Sequence, residues 1–294
     1  MPEISVIIVN YNTFELTCNC IRSVIDNTKC NYEIVLVDNA SSECDARLFL
    51  KHFPDINLIQ SKTNLGFAKG NNLGIQHTRS KYILLLNSDT VLLNNAIDLS
   101  LERINSDPNI GALSCQLVSE DGSLQGTSNE FVTIWKNIIR TFRLQKVLPA
   151  YQFKKLDLEV EHETDWIWGT FFLFPSHILK YLPENKLPDD FFMYGEDKQW
   201  CYRFKKLGYS IIYYPTAKIQ HLIGASSSDK ESERFVKYFL PNEYQMYKLE
   251  RGRLYAAGLL FSSGILLIAS FRPTVIAKGF QYFKISIKGL LGFI

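Results

Sequence analysis

Two adjacent carboxylates, Glu196 and Asp197, open a helical pattern inside the segment Phe191–Tyr209. Trp200, Phe204 and Leu207 fall on one helical face, Lys205 and Lys206 sit in the last turn, and Gly208 fits the position after the C-cap. Asp197 lies one turn before Cys201 and so near the buried face, and a helix N-terminus favours an ionised carboxylate. Such a group can take a proton from a hydroxyl as a general base. It can equally do no more than complement the charge of the helix end. Four polar clusters each follow an apolar run: Asn10-Tyr11-Asn12, Asp38 to Ser42, Asn64 to Asn72, and Asn87-Ser88-Asp89-Thr90. Any one of them could merely end a strand. Four on one edge read as a ligand site.

The elements that must position these residues are legible in the same pattern. Val6–Val9, Ile34–Val37 and Ile83–Leu86 are short continuous apolar runs, as expected of parallel strands buried on both faces. Leu16, Cys20, Ile21 and Val24 fall at helical spacing between the first two, and a short strand is expected at Leu58-Ile59. Ser41-Ser42-Glu43 after the second run and Ser80 before the last read as element boundaries. This alternation predicts a doubly wound α/β sheet, whose ligands sit beyond the carboxyl ends of the strands. From about residue 110 the pattern changes. Gly111–Val118, Asp121-Gly122 and Leu124 predict a hairpin, and residues 126–164 are weakly patterned. The acidic run Asp157, Glu159, Glu161, Glu163, Asp165 reads as a solvated face or loop. Asp165–Phe174 and Ile211–Tyr214 are predicted strands, the latter followed by a loop from Pro215 to Gln220 and then His221.

Composition narrows the classes. The 294 residues are 46% hydrophobic and 21% charged, with 10 Pro and 16 Gly, which excludes disordered and collagen-like chains. The length allows one large or two modest domains. A net charge of +2 gives no global case for nucleic acid as a partner. Six scattered cysteines without a C-x-x-C pair read as reduced thiols, and the start Met-Pro-Glu-Ile-Ser has neither the basic nor the apolar region of a signal peptide, so a cytoplasmic location is expected.

The order Val6-Ile7-Ile8-Val9-Asn10-Tyr11-Asn12, Val37-Asp38-Asn39-Ala40-Ser41, Asn64-Leu65-Gly66-Phe67-Ala68-Lys69-Gly70-Asn71, Leu86-Asn87-Ser88-Asp89, Gly195-Glu196-Asp197 and His221 resembles the GT-A family 2 glycosyltransferases, and within them the bacterial rhamnosyltransferase-like branch. The resemblance covers roughly residues 4 to 225. It implies a GT-A α/β fold with a C-terminal helical extension. It also implies that Asp38 accepts hydrogen bonds from a pyrimidine edge, that Asn10 and Tyr11 pack around base and ribose, and that Lys69, Asn71 and Ser88 serve the same donor nucleotide. Asp89 would hold a divalent metal, Mg²⁺ or Mn²⁺, that neutralises a diphosphate leaving group, with His221 joining that site. Asn87 stands where the family's metal motif usually has its first acid. Trp166 and Trp168 would line the acceptor or donor sugar. Asp197 would be the base of a single inverting displacement, with Glu196 the runner-up, and Gln199 departs from a further acid common in the family.

The resemblance further implies transfer from a nucleotide sugar, dTDP-L-rhamnose as first choice or a UDP-hexose, to a lipid-linked saccharide in O-antigen, capsule or other surface-polysaccharide synthesis. A sugar-nucleotide pyrophosphorylase would want a Gly-rich run where this chain has Asn10-Tyr11-Asn12-Thr13. A non-catalytic saccharide-binding protein would have no need of Asp89 and Glu196-Asp197, and a glycoside hydrolase would leave Asp38 and the Lys69 loop without a task. The expected domains are 1–225, divided into a nucleotide-binding half 1–110 and an acceptor half 111–225, and a helical region 226–294. Leu254–Phe271 carries no charge, and beyond Glu250 the chain has no acidic residue while Arg251, Arg253, Arg272, Lys278, Lys284 and Lys288 follow. An eighteen-residue helix of about 27 Å is short for a span, and the lysine-bearing segment after it is amphipathic, so the tail is expected to lie on the inner face of the cell membrane. A true span or a buried helical subdomain are the alternatives, and the oligomeric state stays open.

Overall fold

Residues 1–144, 148, 156–222, 235–270 and 273–293 are described by a computed structural model. The apolar runs of the first hundred residues become strands, and the periodic stretches between them become helices. β1 (Ile4–Asn10), α1 (Phe14–Asn27), β2 (Tyr32–Asp38), α2 (Leu48–His52), β3 (Asn57–Gln60), α3 (Phe67–Ile75) and β4 (Tyr82–Asn87) alternate as the pattern predicts. There follow β5 (Thr90–Leu92), α4 (Ala96–Asn105), β6 (Ile110–Val118), β7 (Leu124–Gln125), β8 (Ser128–Asn129), α5 (Ile134–Thr141), β9 (His162–Thr164), β10 (Trp166–Ile167), β11 (Phe171–Pro175), α6 (Glu196–Lys206) and β12 (Ser210–His221). The chain closes with α7 (Leu240–Arg251), α8 (Arg253–Ile268) and α9 (Pro273–Leu291).

The main sheet runs β3-β2-β1-β4-β11-β6-β12-β5, with β7 beside β6 and β9 beside β12. β1 pairs in parallel with both β2 and β4, so the strand order reverses at β1 and opens a crevice beyond its carboxyl end. β11 enters antiparallel between β4 and β6. Alternate residues of the parallel strands feed two cores. Ile4, Val6, Ile8, Leu36, Leu84 and Leu86 pack with α1, α2 and α4 on one face. Ile7, Val35, Val37, Ile83 and Leu85 pack with α3 and α6 on the other. Both faces are thus apolar and the polar chemistry is left to the strand ends.

Several local expectations are corrected. Asp165–Phe174 is two strands, because Trp168 donates its amide to Thr127 O (3.1 Å) and β10 pairs with β8 in a separate small sheet while β11 joins the main one. The strand at Ile211–Tyr214 continues through the expected loop to His221, and the register shifts between Tyr214 and Lys218, where Pro215 cannot donate to a ladder. Ser41-Ser42-Glu43 does lie at a boundary, just after β2, where the Ser41 amide donates to Asp38 Oδ2 (3.2 Å) and the Ser42 amide to Asn12 Oδ1 (2.8 Å). The acidic run is not simply solvated. Part of it forms β9 against β12, Glu161 pairs with Arg103 (2.6 Å), and Glu163 pairs with Lys205 (3.1 Å). Within the weakly patterned stretch, α5 forms behind Thr133, whose hydroxyl accepts the Lys136 amide (3.1 Å). Leu207 ends exposed beyond α6, while Trp200 and Phe204 are buried as expected. Gly208 does sit after the C-cap, at φ +91°, with its amide on Lys205 O and the Tyr209 amide on Phe204 O.

The chain divides into two units, Met1–Asn129 with Leu156–Ser228, and Glu130–Lys155 with Asp229–Ile294. The first carries both sheets. In the second, α5 packs on α8, where Asn137 Nδ2 donates to Ser262 Oγ (3.0 Å) and Ser263 Oγ (2.8 Å). Among the described residues no helix is long and apolar enough to cross a membrane. The expected boundary at residue 225 and the flanking Arg272 lie outside the described residues.

Candidate active site

At the carboxyl edge, Asn10 at the end of β1 stands in register with Asp38 at the end of β2. Asn10 Nδ2 donates to Asp38 Oδ1 (2.9 Å) and to Ser41 Oγ (3.0 Å). The hydroxyls of Thr13 and Thr17 both donate to Asn10 Oδ1 (2.9 Å each), which fixes which end of the amide faces Asp38. Both Asp38 oxygens are thereby anchored while the group stays a pure acceptor. Thr13 Oγ1 also lies 3.2 Å from Ser88 Oγ, tying this corner to the end of β4. Tyr11 is exposed beside it. Asn12 (φ +54°) and Ala40 (φ +64°) both hold left-handed backbone, which bends the two strand ends around the same crevice. Local strain of this kind concentrates at functional edges.

The next loop is held by amides. Asn39 Nδ2 donates to Asn64 Oδ1 (3.0 Å) and Gly66 O (3.2 Å), and Asn39 Oδ1 accepts the Leu65 amide (2.8 Å). Gly66 has φ +79°, and a Cβ there would collide with the Phe192 carbonyl oxygen, the same oxygen that accepts the Phe67 amide (2.9 Å). Only glycine fits such a position. Lys69 is exposed on α3, whereas Asn71 is buried with Nδ2 on Phe67 O (3.0 Å) of its own helix.

Asp89 and His221 meet across the β5–β12 pairing, with His221 Nε2 3.6 Å from Asp89 Oδ1. Gln125 Nε2 donates to the His221 carbonyl (2.9 Å), which turns Gln125 Oε1 towards His221 Nδ1 (2.8 Å). Nδ1 therefore carries the proton, and the lone pair of Nε2 faces the Asp89 carboxyl. Burial raises the Asp89 carboxyl against the opposing pull of His221, and burial lowers the His221 imidazole. Asn87 Oδ1, at the end of β4, is buried with no hydrogen-bond partner among the described residues.

Glu196 and Asp197 open α6 after Tyr194 (φ +70°) and Gly195 (φ +100°). Asp197 Oδ1 accepts the Lys198 amide (2.7 Å) and Oδ2 accepts the Gly169 amide (3.1 Å). Gly169 is next to Thr170, whose carbonyl accepts the Asn87 amide (3.0 Å), so Asp197 is joined to the end of β4 through one short stretch of backbone. Burial pushes the Asp197 carboxyl up to about 6, against the pull of those two amides. Burial, then the adjacent Asp197, pushes Glu196 up to about 8, and its Oε2 has no hydrogen-bond partner among the described residues. Gln199 is buried and donates to Asp190 Oδ2 (2.9 Å). Trp166 is half-buried with Lys198 Nζ 5.7 Å from its ring centroid, and Trp168 is half-buried against the core that holds α1.

The crevice thus gathers Asn10, Asp38 and Ser88 on one side, Asp89 and His221 on another, and Asp197 by way of Gly169. Three contributors escape sequence reasoning. Gln125 lies in a two-residue strand, Gly169 in the middle of an expected strand, and Phe192 acts through its backbone oxygen. Only Gly169 had a signal, a lone glycine inside an apolar run.

The family pattern described as "Glycosyl transferase family 2" matches residues 5–179. The chain is 25% identical over 285 residues to the low-salt glycan biosynthesis hexosyltransferase Agl10 of Haloferax volcanii, a match covering 96% of this chain and 84% of that protein. It spans less than half the length of further glycosyltransferases that it matches. Among solved structures, the mannosyltransferase PcManGT of Pyrobaculum calidifontis in complex with GDP-Man and Mn²⁺ aligns at TM-score 0.61 and 15% identity, covering 98% of this chain and 87% of that one. GalNAc-T7 with UDP, GalNAc and Mn²⁺ aligns at TM-score 0.62 and 14% identity, covering 97% and 54%. These two likenesses concern the fold, a GT-A-like mixed α/β sheet followed by helices.

Proposed function

This chain belongs to glycosyl transferase family 2 and is a nucleotide-sugar glycosyltransferase, and within that class we propose that it moves a hexose with inversion, Asp197 acting as the base. The observation that carries the reading is the Asp197 carboxylate, half-buried, held by two backbone amides and poised near 6. A base of that strength is largely ionised at neutral pH and still accepts a proton readily. Glu196, raised to about 8, is protonated at the same pH and cannot compete. The acceptor hydroxyl gives its proton to Asp197 as its oxygen bonds to the anomeric carbon. The bond from that carbon to the diphosphate oxygen breaks on the opposite face.

Asp38 is an anchored acceptor suited to the imide N–H of uracil or thymine, which supports a UDP or dTDP donor. We take dTDP-L-rhamnose as the first donor to test and a UDP-hexose as the second. The donor set of Asp89 and His221 fits a divalent cation: a carboxyl oxygen and an imidazole nitrogen face each other at 3.6 Å, and the Nδ1 of that imidazole is turned to Gln125. Among the described residues no group of three or more His, Cys, Asp and Glu gathers to hold a metal, and Mg²⁺ or Mn²⁺ sites on nucleotides use one or two protein ligands with phosphate oxygens completing the shell. When bound there, the metal would neutralise charge on the departing diphosphate. Lys69, exposed at the start of α3, supports a phosphate contact, and half-buried Trp166, with Lys198 over its ring, is the proposed sugar contact. Asn71 supports the loop more directly than the ligand, since its amide is spent on Phe67 O. A lipid-linked saccharide is the proposed acceptor, which would place the enzyme on the inner face of the cell membrane. Purified protein incubated with a panel of nucleotide sugars and Mn²⁺ tests the reading. Slow hydrolysis of one hexose donor, abolished in Asp197→Asn, is expected, and hydrolysis of none would remove the donor assignment.

A further inference from the structure

The helical second unit sorts its residues in a way that water does not favour. Where α8 and α9 meet, small residues allow a close approach: Gly264 lies against the Phe283 ring and the Gly279 carbonyl, and Ser286 Oγ donates to Ala257 O (2.8 Å). Leu259, Leu260 and Ile285 are buried, but several large apolar side chains of the same two helices point outward. Phe280 is 58% exposed and Ile287 52% exposed on α9, and Phe261 and Ile265 are exposed on α8. Phe261 stacks near Phe283 (ring centroids 4.9 Å), and Phe283 meets Phe280 edge-on (6.5 Å), so the two outward stripes join into one face. Small residues between helices with large apolar residues outside is the sorting of helices that face lipid. A contiguous exposed patch of this kind needs a partner.

Charge decides which partner. Lys284 and Lys288 are exposed on the same helix as Phe280 and Ile287, Lys284 one turn from each and Lys288 next to Ile287, and the chain has no acidic residue after Glu250. A second copy of this face would bring these lysines no carboxylate from α8 or α9 to answer them. An anionic bilayer answers both features, taking the aromatic and aliphatic side chains into the acyl boundary and the lysines at its phosphates. No described helix is long and apolar enough to span, so the helices lie along the surface. We infer that the α8–α9 face bearing Phe261, Phe280, Phe283 and Ile287, flanked by Lys284 and Lys288, docks the protein on anionic membrane. This deepens the membrane placement proposed above, and its test reads binding separately from transfer.

The full chain is sedimented with vesicles of phosphatidylcholine alone and with 30% phosphatidylglycerol added, roughly matching an anionic leaflet. Wild type should pellet with the anionic vesicles at low salt and be partly released at high salt. Lys284→Gln with Lys288→Gln should weaken that binding about 30-fold, since each basic residue near such a surface contributes about fivefold. Phe280→Ser with Ile287→Ser, at positions already half in solvent, should weaken binding to both vesicle types about tenfold or more, with helical circular dichroism unchanged. Donor hydrolysis without vesicles is measured on every variant and should match wild type. Wild type staying in the supernatant with anionic vesicles, or both double variants binding as wild type does, overturns the docking face while leaving the transferase reading to the hydrolysis assay. A dimer in light scattering that Phe280→Ser with Ile287→Ser dissociates would assign the face to a second copy instead and also overturns it.

Discussion

Glu196→Gln separates the two carboxyls of α6 through stability. In the folded protein burial and Asp197 raise Glu196 from 4.5 to about 8, so between those values the native chain holds a proton that the unfolded chain has released. Each pH step of one across that window therefore removes about 1.4 kcal/mol of folding stability, and the contribution is fully present only below the unfolded value. Between pH 4.5 and 7 the loss assigned to Glu196 is about 3 kcal/mol. Glutamine keeps the size and a hydrogen-bonding end but has no proton to lose. Urea unfolding at a series of pH values reads the difference: the variant should gain about 3 kcal/mol on wild type between pH 4.5 and 7, and most of its transfer activity should survive because it mimics the protonated acid. Parallel stability curves would refute a raised Glu196. A loss of transfer of about 100-fold or more would return the base role to it.

Asp197→Asn should lower transfer by about 100-fold or more with donor affinity unchanged in calorimetry. For Asp89→Ala, donor titration with and without Mn²⁺ should show metal-dependent affinity in wild type alone; equal wild-type affinity in both conditions would sink the Asp89 metal site. Gly66→Ala forces a Cβ into the Phe192 carbonyl at φ +79°, and the left-handed penalty plus the lost Phe67–Phe192 bond should destabilise by about 2–3 kcal/mol, visible as a lowered melting temperature. A melt within a degree of wild type would mean that the loop relaxes freely.

The alternating half of the fold was legible because β1, β2 and β4 are buried on both faces and so read as unbroken apolar runs. The same burial made their ends conspicuous, since Asn10, Asp38 and Asn87 are where the apolar run stops. What failed were elements set by distant partners. β12 runs on through Pro215 because β5 and β6 offer it ladder partners beyond the bulge, information no local window holds. The acidic run becomes β9 because Arg103 and Lys205 face it from other elements. α5 has only 8 residues, and its Asn137 is buried because Ser262 and Ser263 receive it, a polar pairing that hides the helix from any apolar count.

The departure at Asn87 takes on a physical meaning beside Glu196. A nucleotide diphosphate brings negative charge into a crevice that already holds Asp38, Asp89 and Asp197, and each further ionised carboxylate would oppose its entry. On the proposed reading, two positions that could have added such charge are neutral at pH 7: Asn87 by its residue type, and Glu196 because burial and Asp197 keep its proton on. Asp197 can then be the ionised member of its pair, and Asp89 the single anionic group towards a cation. The neutral Asn87 retains a buried, unpartnered carbonyl oxygen at the end of β4. That oxygen is an acceptor that adds no full charge, so the edge keeps its acceptors while limiting its repulsion of phosphate.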